Sequence, residues 1–283
     1  MVLTVNRIGI ASAVGAVGLG LIYLAAAGAP TRYLAVNAGT LIVGLAGLMA
    51  WRRWAHPVPR LSDLAALAIG LALLATALFG QSLDETTRWV RLGPLTLQPG
   101  LVLAALLAVL FSRDQSRLST TGVIIAAAAL ALQPDRATAG TLAVSMAALA
   151  MTKPDRRTLA ALIAATVAFA IALVRPDTLP AQPFVEQVLF TAFETHWLIG
   201  IAVWIGAKWL LIPAIAGRVL DPDNRPTDAL FGAAWPGLIA AAVLGNYPTP
   251  LVGYGASSIL GYALSLAALP SRPHRAPQAT AAP

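Results

Sequence analysis

Apolar residues fall in ten long runs along this chain, near 8–27, 34–51, 61–80, 101–111, 121–132, 141–151, 159–174, 188–216, 229–245 and 254–269. None alternates strictly, as a barrel strand would. Because lipid offers no hydrogen-bond partners, a spanning segment must satisfy its own backbone, and runs of this kind do so as helices. Several fall short of the roughly 20 residues a span needs. The short ones must therefore tilt, extend into their flanks or pack inside the bundle. The pattern predicts an all-α integral membrane protein with about ten transmembrane helices in a single polytopic domain over 1–270. The Pro/Ala-rich stretch 271–283 has no apolar periodicity and reads as a disordered cytoplasmic tail.

The polar residues between the runs orient this bundle. With the N-terminus inside, Arg7, Arg52, Arg53, Arg60, Arg113, Arg117, Lys153, Arg156, Arg157, Arg218, Arg225, Arg272 and Arg275 face the cytoplasm. Arg32, Arg88, Arg91, Arg136 and Arg175 then lie outside, and Lys208 lies within a helix. That asymmetry obeys the positive-inside rule, and the reverse orientation would break it. Both termini are thus expected in the cytoplasm. The first run follows Arg7 and precedes a small-residue stretch, as in a signal peptide, but its length and the immediate second run favour a retained span.

Composition supports a membrane protein. Of the 283 residues 58% are hydrophobic and only 11% charged, against about 25% charged in soluble domains. The net charge of +7 is scattered through short loops and forms no basic run, so no nucleic acid partner is expected. The absence of cysteine excludes disulfides and thiolate metal sites. Histidines at 56, 196 and 274 are spread over both faces, and no metal site is expected.

Three polar motifs punctuate the outer ends of the helices. The first is DETTRWVRLGPLTLQP at 84–99, the second LQPDRAT at 132–138, and the third PLVGYGASSIL at 250–260. They resemble, in order and position, the signature segments of the SEDS family of bacterial cell elongation, division and sporulation proteins (the FtsW/RodA/SpoVE group). LQPDRAT is similar to that family's LQPDxGT and PLVGYGASS to its PFxSYGGSS. The chain departs from the pattern in two places. Arg136-Ala137 stands where the family has a variable residue and Gly, and Gln98-Pro99 runs into Gly100-Leu101 where the family continues with Ser, Glu and a nearby Lys.

Each candidate residue has a structural and a functional reading. Arg88 and Trp89 suit an interfacial anchor; with Arg91 they also suit a guanidinium site for a lipid-linked diphosphate. Gln98, Gln133 and Asp135 would border the same site, although Pro134 and Asp135 equally make a helix break and an N-cap. Tyr254, Ser257 and Ser258 offer either small-residue packing or a polar cavity wall. The thirteen-residue segment 175–187 is the position at which the resemblance implies a general base for the acceptor sugar. Asp177 is the best match and Glu186 the second, and a solvated Arg175–Asp177 pair is the plainer account. Glu194, His196 and Lys208 lie in the eighth run, too few for a proton path.

By resemblance the chain is a bacterial cytoplasmic (inner) membrane protein of peptidoglycan and cell-shape biology. The missing carboxylate and cation after Pro99 and the short 175–187 segment favour a non-catalytic or weakly catalytic subunit or scaffold of a cell-envelope complex. The alternatives are a peptidoglycan glycosyltransferase acting on lipid II at the outer face, with a divalent cation if catalytic, and a transporter of lipid-linked precursors. Expected partners are membrane lipids, a lipid-linked disaccharide and a transpeptidase or other membrane protein.

Overall fold

The computed structural model of the chain describes residues 5–54, 59–83, 86–93, 95–177 and 179–270; the expected cytoplasmic tail lies outside them. The helices run α1 (Val5–Ala26), α2 (Thr31–Trp54), α3 (Pro59–Phe79), α4 (Pro99–Arg113), α5 (Arg117–Leu132) and α6 (Arg136–Thr152). They continue as α7 (Arg156–Val174), α8 (Val188–Thr195), α9 (Trp197–Trp209), α10 (Ile212–Leu220), α11 (Arg225–Leu244) and α12 (Ala256–Ala268). Six stretches are long and apolar enough to cross a membrane, with α9 and α10 together forming one of them; α4, α5 and α12 are shorter apolar helices. The chain is an all-α membrane protein in class, and nine of the ten apolar runs each match one helix, in order.

The eighth run, 188–216, is not one helix. At His196 the backbone is extended, with φ −170° and ψ 143°, and its Nδ1 accepts the Leu198 N–H, so the residue ends α8 and caps α9. Pro213 stands in the first turn of α10, where its missing N–H breaks no helical bond. Elsewhere caps fall where the sequence places Ser and Asp. Ser116 caps α5, Asp135 caps α6 and Asp155 caps α7, each accepting backbone N–H groups of the first turn.

Close helix packing rests on residues without side-chain bulk. A Cβ on Gly70 would collide with the Gly122 carbonyl, and one on Gly122 with the Ala66 backbone, so α3 and α5 meet backbone to backbone. Gly261 sits likewise on the Leu101 carbonyl, joining α12 to α4. Small residues at such crossings let dispersion operate where no hydrophobic force separates helix from lipid. Large apolar side chains such as Ile42, Phe79 and Val174 point outward, as a lipid solvent permits.

One element departs from an all-helical reading. The polar island after α3 forms a small antiparallel sheet of β1 (Gln81–Leu83), β2 (Thr86–Leu92) and β3 (Leu95–Leu97), in the order β1-β2-β3. Val90 opposes Leu97 and Leu92 opposes Leu95, and the turn between β2 and β3 includes Gly93 at φ +59°, a conformation glycine adopts without strain.

Candidate functional site

The sheet aims its side chains by the two-residue period of a strand. Thr86 and Arg88 are buried, whereas Arg91, an odd number of residues from Arg88, is exposed and donates its Nε to the Gly93 carbonyl at 3.3 Å. The expected Arg88/Arg91 pair is therefore split across the two faces of β2. Only Arg88 turns toward the bundle.

There it meets the other motifs. Its Nε donates to the Gln133 carbonyl at 3.3 Å and its Nη2 to the Pro134 carbonyl at 2.8 Å. The same Nη2 lies 2.6 Å from Asp177 Oδ2, with the two side chains only 4% and 8% exposed. Tyr247 completes the cluster by donating its hydroxyl to the same Oδ2 at 2.9 Å. Burial opposes the Arg88 charge, but the Asp135 and Asp177 carboxylates outweigh it and hold its pKa above the ordinary value. Burial, together with the bond to Asp177, raises the Tyr247 phenol so that it stays a donor. Asp177 thus pairs with Arg88 and not with Arg175, whose guanidinium donates to the Ala131 and Leu132 carbonyls.

A second polar chain lies beneath. Gln98 Nε2 donates to Asp135 Oδ2 at 2.9 Å, and that oxygen also accepts the Thr138 hydroxyl at 2.7 Å. Gln133 donates to the Leu73 carbonyl. Gln133 and Asp135 are both 0% exposed, so they form the floor of the site and do not line it. Arg136, next to the position of the expected glycine, is half-buried and reaches across α7 to the Ala172 and Arg175 carbonyls.

Above this floor opens a cavity of about 410 Å³, within the roughly 300–1,000 Å³ of small-molecule sites. Arg88, Trp89, Gln98, Glu186, Tyr254, Ser257 and Ser258 line it. Ser257 Oγ accepts the Gln98 N–H and Ser258 Oγ the Leu251 N–H, so the serines fix the α4 and α12 starts as well as facing the space. Burial pushes the Glu186 carboxyl up, opposed by the Gln182 N–H bond and Arg88. Beside this space, on the far side of the ion pair, a groove of about 530 Å³ runs between α6, α7 and α11 with Arg136, Asp177 and Tyr247 at its rim.

The thirteen-residue segment 175–187 reaches the site because it is stitched to the third motif. Glu186 bridges to Pro248, Thr249 donates to the Val185 carbonyl and Tyr254 to that of Phe184. Asn246 joins both ends, donating to the Leu179 carbonyl and accepting from Gln187. Three residues of this architecture escaped the sequence reading: Tyr247, Asn246 and Asn37. Asn37, in mid-helix of α2, donates to the Gly253 carbonyl and accepts from Gly255, while Tyr33 stacks on Tyr254 at 3.7 Å. The polar step Asn246-Tyr247 between an apolar run and the third motif was the available signal for two of them. Glu194, His196 and Lys208 are exposed and lie outside this cluster.

Fold and site together define a multi-pass helical membrane protein whose end loops close over a buried arginine–aspartate pair and a polar cavity. The chain has the fold of the rod shape determining protein RodA of Thermus thermophilus, which it matches with TM-score 0.67 at 21% identity over 92% of this chain and 94% of that one. An aspartate-to-alanine variant of that protein matches with TM-score 0.64 at 20% identity over the same shares of both chains. No family model and no curated protein matches the sequence.

Proposed function

We propose that the chain is a SEDS-type protein of the bacterial inner membrane that binds the polar head of a lipid-linked saccharide in its outer cavity and acts as a peptidoglycan glycosyltransferase. RodA, whose fold it shares, gives its name to the group that the three motifs resemble. The observation that carries the reading is the 2.6 Å contact of Asp177 with Arg88. The short segment, which by length alone favoured a scaffold, delivers its carboxylate to the first motif.

In this reading Asp177 accepts the proton of the acceptor hydroxyl as its oxygen attacks the anomeric carbon and the lipid diphosphate leaves. Arg88 and Tyr247 both occupy Oδ2; among the described residues nothing donates to Oδ1, which is the oxygen offered to the sugar. Among the described residues no group of three His, Cys, Asp or Glu is gathered, so a divalent cation would take most of its ligands from the substrate diphosphate and water.

The non-catalytic subunit remains the second reading, favoured by Gly100-Leu101, which place neither carboxylate nor cation after Pro99. One experiment separates them. Purified protein, with candidate transpeptidase partners, is given lipid II and polymer is measured. Catalysis predicts polymer from wild type and a loss of roughly 10²–10⁴-fold in Asp177→Asn, with folding checked by thermal unfolding. Polymer at the wild-type level from Asp177→Asn removes Asp177 as base, and none from wild type with any partner leaves the scaffold.

A further inference from the structure

At the opposite end of the bundle, α1 and α2 frame an open groove of about 510 Å³ lined by Asn6, Arg7, Ile10, Met49, Arg52 and Arg53, with Leu48 beneath. Arg52 and Arg53 at the C-terminus of α2 are ordinary in themselves, since the positive-inside rule and the helix dipole both favour them, whereas Arg7 in the first turn of α1 obeys the first against the second. Their hydrogen bonding is not ordinary. Among the described residues the buried Nε and Nη2 of Arg52 find no acceptor, and the buried side-chain oxygen of Asn6 finds no donor. Among the described residues the one ion pair is that of Arg88 with Asp177, so Arg7, Arg52 and Arg53 have no carboxylate partner. Buried charged donors without acceptors are costly.

We propose that this groove holds the head group of an anionic phospholipid, the phosphate accepting from Arg52 and Arg7 and a head-group hydroxyl donating to Asn6. A phosphate diester presents acceptor oxygens in the spacing that a guanidinium fork reads. A glycerol head group adds the hydroxyl that the buried Asn6 oxygen lacks. The site also has a place for the chains: Ile10 lies in the lining and Met49, 59% exposed, faces outward from it. A basic pocket between transmembrane helices on the cytoplasmic side is the physical form such recognition takes. A free phosphate shares the chemistry of the first contact but leaves this apolar flank unused.

The test is competition for the full-length protein in detergent. Wild type is exchanged against mixtures of phosphatidylglycerol and phosphatidylcholine, and retained lipid is read by native mass spectrometry. Wild type should retain phosphatidylglycerol preferentially. Arg52→Gln and, on the exposed rim where folding is not at stake, Arg7→Gln should each lower that preference about fivefold, the equivalent of roughly 1 kcal/mol per juxtamembrane basic residue. Arg117→Gln, an exposed arginine of the same end outside the groove, should not. The proposal is overturned if Arg7→Gln and Arg52→Gln keep the wild-type preference, if Arg117→Gln loses as much, or if millimolar inorganic phosphate displaces the lipid and raises the unfolding temperature as much as phosphatidylglycerol does.

Discussion

Arg88 and Asp177, 89 positions apart in sequence, stand 2.6 Å from each other as a nearly buried pair in the outer site. The pair welds the sheet after α3 to the segment after α7, and the remaining Arg88 donors fasten both to the α5–α6 turn.

Removing one member of that pair should be worse than removing both. Arg88→Ala leaves a buried carboxylate and two unmatched carbonyls, and breaking a buried pair in this way costs about 3–5 kcal/mol. Arg88→Met combined with Asp177→Leu strands no charge and should be less destabilised than Arg88→Ala. Thermal unfolding in detergent ranks the variants, and equal losses would show that the pair contributes no coupling.

Gly100 should resist enlargement. A Cβ there would lie 3.0 Å from Asp135 Oδ2 and 3.0 Å from the Thr138 hydroxyl. Neither group is free to retreat, because the carboxylate is held by Gln98 and Thr138. Gly100→Ala should destabilise by about 1–3 kcal/mol, the usual range for overpacking, and a melting temperature equal to wild type would contradict the rigidity ascribed to this floor.

Glu186 gives the acid range its sign. Burial raises its folded pKa above the ordinary 4.5, so the folded protein binds that proton more readily than the unfolded chain. Its contribution is most favourable below about pH 4.5 and is lost as pH rises through the raised value. Glu186→Gln, which keeps an acceptor for the Gln182 N–H, should flatten this part of the stability–pH curve and raise stability at neutral pH relative to wild type. A curve parallel to wild type from acid to neutral would contradict the burial of this carboxyl.

Sidedness can be checked on a chain that has no native cysteine. A membrane-impermeant thiol reagent applied to intact cells should label Leu92→Cys, in the exposed part of β2, and spare Lys153→Cys, at the end of α6. The reverse pattern would invert the bundle.

The helices were legible because each apolar run must satisfy its own backbone, a constraint that acts within the segment and needs no knowledge of neighbours. The break at His196 was not, since it depends on one imidazole accepting a backbone N–H, which an apolar run conceals. Within the site, Arg88, Gln98, Asp135 and Asp177 could be singled out as polar groups in polar islands. Which of them would touch could not, because the contact joins segments 89 positions apart. Arg91 shows the limit from the other direction. Two arginines in one loop look like one site until strand geometry assigns them to opposite faces. Tyr247 was hidden by its type, since a tyrosine at a membrane interface needs no partner to account for it.

The segment over the outer cavity is tied to the α11–α12 connection by backbone bonds at Val185 and Phe184 and by the amide of Asn246. Mechanically, it is a seam and not a flap. A hinged cover swings on two flexible ends while the frame stays still, but here the cover cannot lift without carrying the start of α12, and with it Ser257 and the first turn of α4. Widening the mouth is therefore coupled to the tilt of two short helices packed inside the bundle. A protein that shifts the helices packed around them within the bilayer would change the aperture without touching it.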